Sequence, residues 1–219
     1  MLPFSNQLQD NVLIGALEAR GLDSTAHNPL LEERLARLLD DRSTPLKPDE
    51  DAFRKACRDM MRIGTYKPTG RGKPASEYLL RAASDNSFPR INTAADINNY
   101  ISLSYLVPIS LWDTDKVAAD SWIFRPGMEG EQFVFNPSGQ SIDLKDLISG
   151  FAVSNGKETP IVSPVKDCQQ TKTDNDTRNI AAAVYYPSKW GGKPALTDIM
   201  QEFAEIMKIV SDQVDYALI

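Results

Sequence analysis

The chain has 219 residues, 42% of them hydrophobic, with 24 Lys and Arg against 30 Asp and Glu and a net charge of −6. That is enough apolar chain for one large core or two small ones, and an acidic balance that leaves nucleic-acid binding to local basic patches rather than to the overall field. No apolar run approaches the ~20 residues of a membrane span and the start carries no basic, then apolar, leader pattern, so no membrane partner and a cytoplasmic address are expected.

In chain order, residues 4–65 predict a helical layer. Leu8, Val12, Leu13 and Leu17 form one apolar stripe, Leu30, Leu31, Leu35, Leu38 and Leu39 a second, and Phe53, Cys57, Met60 and Met61 a third. Gly21 to Ser24 and Arg42 to Pro48 supply the breaks. The single histidine, His27, precedes Asn28 and Pro29, which read as the N-cap and first position of a helix, so His27 is expected to be a solvated pre-helix residue. Thr65 to Pro74 holds two glycines, two prolines and three cations and reads as a basic loop. Helices resume at Ser76 to Ala82 and from Ile91 to Leu106.

After Pro108 the pattern changes. Pro108–Trp112, Trp122–Arg125, Gln132–Phe135, Phe151–Val153, Ile161–Val165 and Ile180–Tyr186 are short, β-branched or aromatic, and bounded by turn residues. An amphipathic helix over Leu196 to Val214 closes the chain, with Ile199, Phe203, Ile206, Ile209, Val210 and Val214 as its stripe. The expected fold class is α+β: a mostly antiparallel β-sheet core flanked by helices, with the helical layer as residues 1–65 and the remainder, 66–219, as one compact unit.

Several segments carry chemistry. Asp96, Asn98 and Asn99 are polar residues inside an apolar helical run, read either as ties to a neighbouring loop or as ligand contacts. Arg125 and Glu131 face each other across a strand-turn-strand and read as a structural ion pair. Gln169 to Asn179 is an eleven-residue run without an aliphatic side chain, either a mobile polar loop or a display for ligand groups. Between Arg62 and Arg90 the charge reverses, with Lys67, Arg71 and Lys73 beside Gly70 and Gly72, which would let backbone amides approach a phosphate; an exposed, solvated loop is the alternative. The Gly-Lys-Ser/Thr phosphate-loop spacing is absent, so no nucleotide hydrolysis is expected. Cys57 and Cys168 stand apart without metal-ligand neighbours, and neither a metal site, a disulfide framework nor a cofactor is expected.

From Lys67 to about Trp190 the chain resembles the editing domain of the phenylalanyl-tRNA synthetase β-subunit, formed by that subunit's third and fourth modules. Asp96-Ile97-Asn98-Asn99-Tyr100 is similar to the family's Val-Asp-Val-Thr-Asn-Tyr helix, and Pro108-Ile109-Ser110-Leu111-Trp112-Asp113 to its Pro-Met-His-Ala-Phe-Asp segment. Trp122 to Glu131 matches its Arg and Gly-Glu hairpin, and Asn175-Asp176-Thr177-Arg178-Asn179 its Asp-Glu-Thr-any-Asn before the last inner strand. Ser110 stands where the family has histidine, and Gln169, with Asp167 two residues earlier, where it has glutamate.

The resemblance implies the editing-domain type of fold and a freestanding domain that binds aminoacyl-tRNA and hydrolyses mischarged aminoacyl-tRNA in trans, with the acceptor end as partner. It implies substrate contacts at Asn98, Asn99, Ser110, Trp112, Arg125, Glu131, Gln169, Thr171 and Thr177, and RNA contacts at Lys67, Arg71 and Lys73. Nothing of the aminoacylating domain is visible, so ligase activity is not expected. The alternative is a non-catalytic binding module for an amino-acid-like small ligand, since fold does not imply function.

Overall fold

The apolar residues Val12, Leu13 and Leu17, expected on a helix, lie instead on a β-strand. The computed structural model describes residues 3–219 apart from Gln9, so Met1, Leu2 and Gln9, which fall in the expected leaderless start and helical layer, lie outside the described residues. The order is β1 (Phe4–Asn6), β2 (Val12–Arg20), α1 (Pro29–Arg42), α2 (Pro48–Asp59), α3 (Ala75–Ser84), α4 (Thr93–Tyr105), β3 (Ile109–Asp113), β4 (Ser121–Pro126), β5 (Gln132–Val134), β6 (Ser141–Asp143), β7 (Ile148–Ser154), β8 (Lys157–Val162), β9 (Ile180–Pro187), α5 (Gly192–Met207) and β10 (Gln213–Leu218).

The strands form two four-stranded sheets, β1-β4-β7-β8 and β10-β2-β9-β3, and a two-stranded β5-β6 ribbon. Among the described residues every pairing of strands is antiparallel except that of β1 with β4. The fold is therefore α+β with antiparallel pairing dominant, as expected, but two sheets carry it.

The sheets face each other through large aromatic side chains. Trp112 on β3 meets Trp122 on β4 edge to face at 5.3 Å, and Tyr185 on β9 meets Phe124 on β4 at 6.0 Å. All four are fully buried. On the other side of the second sheet, α5 packs on β2 and β10 while α2 lies against β9. The fit is close enough that a Cβ at Gly15 would come within 2.5 Å of Met200 Sδ.

This two-sided cover explains why the N-terminal expectation fails. A strand buried on both faces has no polar alternation, so its apolar run mimics a buried helix over a short window. β2 is such a strand, held between β9 and β10. The helical stretch over residues 4–65 is thus limited to α1 and α2, and the segment before them is part of a sheet.

The C-terminal expectation also needs correction. Its helix ends at Met207, and Val214 belongs to β10, paired with Ala19 of β2. Elsewhere the local chemistry acts as read. Asn28 caps α1 by accepting from Leu31 N at 3.1 Å, and Pro29 is the first helical residue. Among the described residues no helix is long and apolar enough to cross a membrane.

Candidate functional site

α4 contains the embedded polar group, and the structure separates its members. Asp96 is a tie: Oδ1 accepts from Ile91 N at 2.9 Å and Oδ2 from Arg90 Nε at 2.8 Å, closing the loop that enters the helix. Asn98 is buried, and its Nδ2 reaches Asn99 Oδ1 at 3.4 Å while its own Oδ1 is shut from solvent with no donor. Such an acceptor costs about 1–3 kcal/mol unless something satisfies it.

Ser110, on β3 and wholly buried, donates to the Ser163 carbonyl at 2.9 Å and lies 3.1 Å from Tyr185 Oη. Asp167 joins this group. Its Oδ2 accepts from Leu111 N at 3.3 Å, and its Oδ1 is sealed from solvent without a partner. Burial pushes the Asp167 carboxyl up to about 7, against the opposing pull of the nearby Ser110 hydroxyl, the Leu111 amide, Lys172 and Lys166. Burial likewise drives the Tyr185 phenol far above its usual range.

Gln169 lies two residues beyond Asp167, in a short 3-10 turn, and its Oε1 is also sealed and unpartnered. α4 packs on β3, and its N-cap residue Asn92 donates to Thr173 Oγ1 at 3.2 Å. The elements carrying Asn98, Ser110, Asp167 and Gln169 are therefore neighbours, and among the described residues Asn98 Oδ1, Asp167 Oδ1 and Gln169 Oε1 meet no donor.

The remaining expected substrate residues sit elsewhere in the chemistry. Trp112 is a core side chain between the sheets, with its Nε1 unpartnered. Arg125 is held by Nη1 to Glu131 Oε2 at 2.9 Å, Nη2 to Glu131 Oε1 at 2.7 Å, Nε to Glu158 Oε2 at 2.8 Å and Nη1 to the Pro126 carbonyl at 3.0 Å. Its guanidinium lies 3.8 Å from the Phe151 ring centroid. Glu131, in turn, has its carboxyl held low, first by Arg125. This is the ion pair read from the hairpin, joined by Glu158 and bonded to none of Asn98, Ser110 or Gln169.

The polar run Gln169 to Asn179 is tied down at several points. Thr177 Oγ1 lies 2.7 Å from Asp113 Oδ2, Ser24 Oγ donates to the Thr177 carbonyl at 2.8 Å, and Thr171 Oγ1 reaches the Cys168 carbonyl at 3.3 Å. Lys116 Nζ adds bonds to the Lys172 carbonyl and Asp174 Oδ2, each at 2.6 Å. Thr171 and Thr177 are both buried. The two threonines turn inward and anchor the run, while Lys172, Asp174, Asn175, Asp176 and Arg178 stay exposed.

The basic loop reaches a cleft of about 800 Å³ lined by Tyr66, Arg71, Tyr78, Phe135, Gln140 and Lys166, among others. Arg71 is in that lining, and Lys67 and Lys73 are not. Sequence reasoning passed over Tyr66, Tyr78, Phe135 and Lys166, which come from four separate segments, and Tyr185, which is embedded in an apolar strand. The pairings of Tyr66 and Tyr78 with the Gly70-Arg71-Gly72 turn were near enough in sequence to be found. Among the described residues no group of three or more His, Cys, Asp or Glu side chains is placed to hold a metal ion.

Comparison with known proteins places these segments in a family. The profile of the family described as "B3/4 domain" matches residues 57–189. The chain is 32% identical over 143 residues to the "Phenylalanine--tRNA ligase beta subunit" of Carboxydothermus hydrogenoformans, covering 62% of this chain and 17% of that protein. Against the subunit of the same name from Oceanobacillus iheyensis it is 24% identical over 117 residues, covering 52% of this chain and 14% of that protein. An N-terminal fragment of the phenylalanyl-tRNA synthetase β-subunit from Pyrococcus horikoshii aligns with a TM-score of 0.43 at 11% identity, over 99% of this chain and 50% of that one. The chain thus spans less than a fifth of the curated relatives it matches. Since the matched profile takes in most of the chain, with α4, β3 and the polar run inside it, this protein belongs to the B3/4 domain family.

Proposed function

We propose that this protein binds the aminoacyl end of a tRNA in trans and hydrolyses the ester of a mischarged one. The observation that carries this reading is the set of sealed, unpartnered acceptors Asn98 Oδ1, Asp167 Oδ1 and Gln169 Oε1. A ligand ammonium offers three donors and would meet such acceptors, which are shut from solvent here, once the contact between α4 and the turn after β8 opens to admit it. Membership of the B3/4 domain family and the similarity to phenylalanine--tRNA ligase β-subunits support the choice of ligand.

For hydrolysis the residues divide the work as follows. Ser110 is committed to Ser163 and Tyr185 and serves as a positioning group, not a nucleophile. Asp167, titrating at about 7, is matched to accepting a proton from the attacking water at neutral pH and returning it to the leaving ribose oxygen as the acyl C–O bond breaks. Orientation of the ester by the acceptors supplies the remainder. Deacylation of a panel of mischarged tRNAs by the whole chain tests this: turnover should rise through about pH 7 and fall at least about a hundredfold in Asp167→Asn. No turnover with any member of the panel would sink the hydrolytic half.

The same sealed acceptors favour one further reading, a compact amino-acid-like ligand held without chemistry. That reading predicts thermal stabilisation by a free amino acid and no retention of tRNA at low salt.

A further inference from the structure

We infer that the cleft formed by the Gly70–Gly72 turn, α3, the β5-β6 ribbon and Lys166 is a binding site for unpaired RNA nucleotides. This rests on the aminoacyl-tRNA reading and assigns to it a second contact surface, outside the sealed polar layer.

The cleft is built from ring faces and cations. Tyr66, Tyr78 and Phe135 line it with Arg71 and Lys166, and no Asp or Glu shares the lining although the chain as a whole is acidic. Neither Arg71 nor Lys166 is ion-paired among the described residues. Lys166 Nζ lies 5.3 Å from the centroids of both Tyr78 and Phe135, so the amine bridges the two rings and keeps its hydrogens for an incoming anion.

The surface is also held in shape before any ligand arrives. Tyr66 Oη donates to the Gly72 carbonyl at 2.8 Å and Tyr78 Oη to the Gly70 carbonyl at 3.1 Å, so two tyrosines clasp the turn that carries Arg71. Gly70 adopts φ +53°, a left-handed conformation that suits glycine, and a Cβ at Gly72 would come within 2.7 Å of Tyr66 Oη. Gln140, also in the lining, has its Oε1 held by Asn136 Nδ2 at 2.8 Å, which orients its amide donor for a base edge.

Aromatic faces beside unpaired cations are what single-stranded nucleic acid requires: bases stack on rings while phosphates meet the charges. An acidic peptide would use the cations and leave the rings idle, and a duplex would present no free base face.

Anisotropy of a short labelled single-stranded RNA titrated with the whole chain tests the assignment, with the same sequence as a blunt duplex and polyglutamate as competitor. The single strand should bind at least about tenfold more tightly than the duplex and resist polyglutamate. Tyr78→Leu should weaken binding about tenfold or more, whereas Tyr78→Phe, which keeps the ring, should stay within about threefold. Lys166→Gln should lower the slope of log affinity against log salt by about 0.7. Because Tyr78 and Lys166 are surface-accessible, unchanged melting temperatures would show that these variants remain folded. Equal duplex binding, displacement by polyglutamate as efficient as by RNA, or unchanged affinity in Tyr78→Leu would overturn the inference. If the wild-type chain ignores the oligonucleotide yet deacylates a mischarged tRNA, the cleft assignment fails alone. If it binds the oligonucleotide through Tyr78 but never deacylates, the hydrolytic reading fails and the cleft stands.

Discussion

Ser110 Oγ and Tyr185 Oη lie 3.1 Å apart in the layer between the two sheets, and neither residue is open to solvent. The position that holds histidine in the synthetase-like pattern is therefore core here, roofed by a phenol from the neighbouring strand. β3 and β9 make this possible because Ser110 pairs directly with Ala183, two residues before Tyr185 on β9.

Restoring the histidine should fail on packing grounds. Ser110→His inserts a ring beneath Tyr185 in a filled layer and should destabilise the protein by about 1–3 kcal/mol, the usual cost of overpacking. Tyr185→Phe, which removes one hydrogen bond but leaves Ser110 donating to Ser163, should cost only about 1 kcal/mol. Urea unfolding of the three proteins ranks them.

Stability should fall with rising pH between about 4 and 7 because of Asp167. Its carboxyl titrates at 3.8 in the unfolded chain and at about 7 in the folded one, so the folded state holds the proton more tightly. The stability contributed by the protonated form is complete below the unfolded value and is lost as pH passes through the folded value. Asp167→Asn mimics the protonated acid and should flatten that part of the profile, which melting temperatures across the range will show.

Thr177 should matter through Asp113. Asp113 is buried, and Thr177 Oγ1 meets its Oδ2 at 2.7 Å while Asp115 N donates to its Oδ1 at 2.9 Å. Thr177→Val keeps the shape and removes the donor to a charged acceptor, an expected loss of about 1.5–3 kcal/mol. Thr177→Ser should recover most of it in the same denaturation assay.

Arg125 should behave as a structural cation and not as a ligand contact. Arg125→Met leaves Glu131 and Glu158 facing each other without their shared partner, and breaking such a half-buried group should cost about 3 kcal/mol. The triple change with Glu131→Gln and Glu158→Gln should regain much of that loss. Deacylation per folded molecule should be unchanged in both, measured after correcting for the folded fraction.

Local signals read well wherever the chemistry was local. The cap Asn28, the proline after it and the hairpin pair Arg125 and Glu131 act in the structure as their sequence positions indicate, and of its two readings Asp96 takes that of a tie. β2 and β10 did not read, for the same reason in two forms. β2 is apolar on both faces, so neither a period of two nor a helical period is imposed on it, and β10 follows α5 so closely that its residues extend the helical stripe.

By itself the sequence determined the class of the fold, the cap that starts α1, and the order of the segments that mark the B3/4 domain family, because each of these depends on local pattern along the chain. Tertiary structure alone decided what those segments do together. Ser110, Tyr185 and Asp167 come from separate segments of the chain, and the pairing of β3 with β9 and the turn after β8 bring them into one layer. Tyr66, Tyr78, Phe135 and Lys166 likewise converge from distant segments. Burial, and with it the cost of an unpartnered acceptor or a carboxyl raised to about 7, is a property of that convergence and of no single residue.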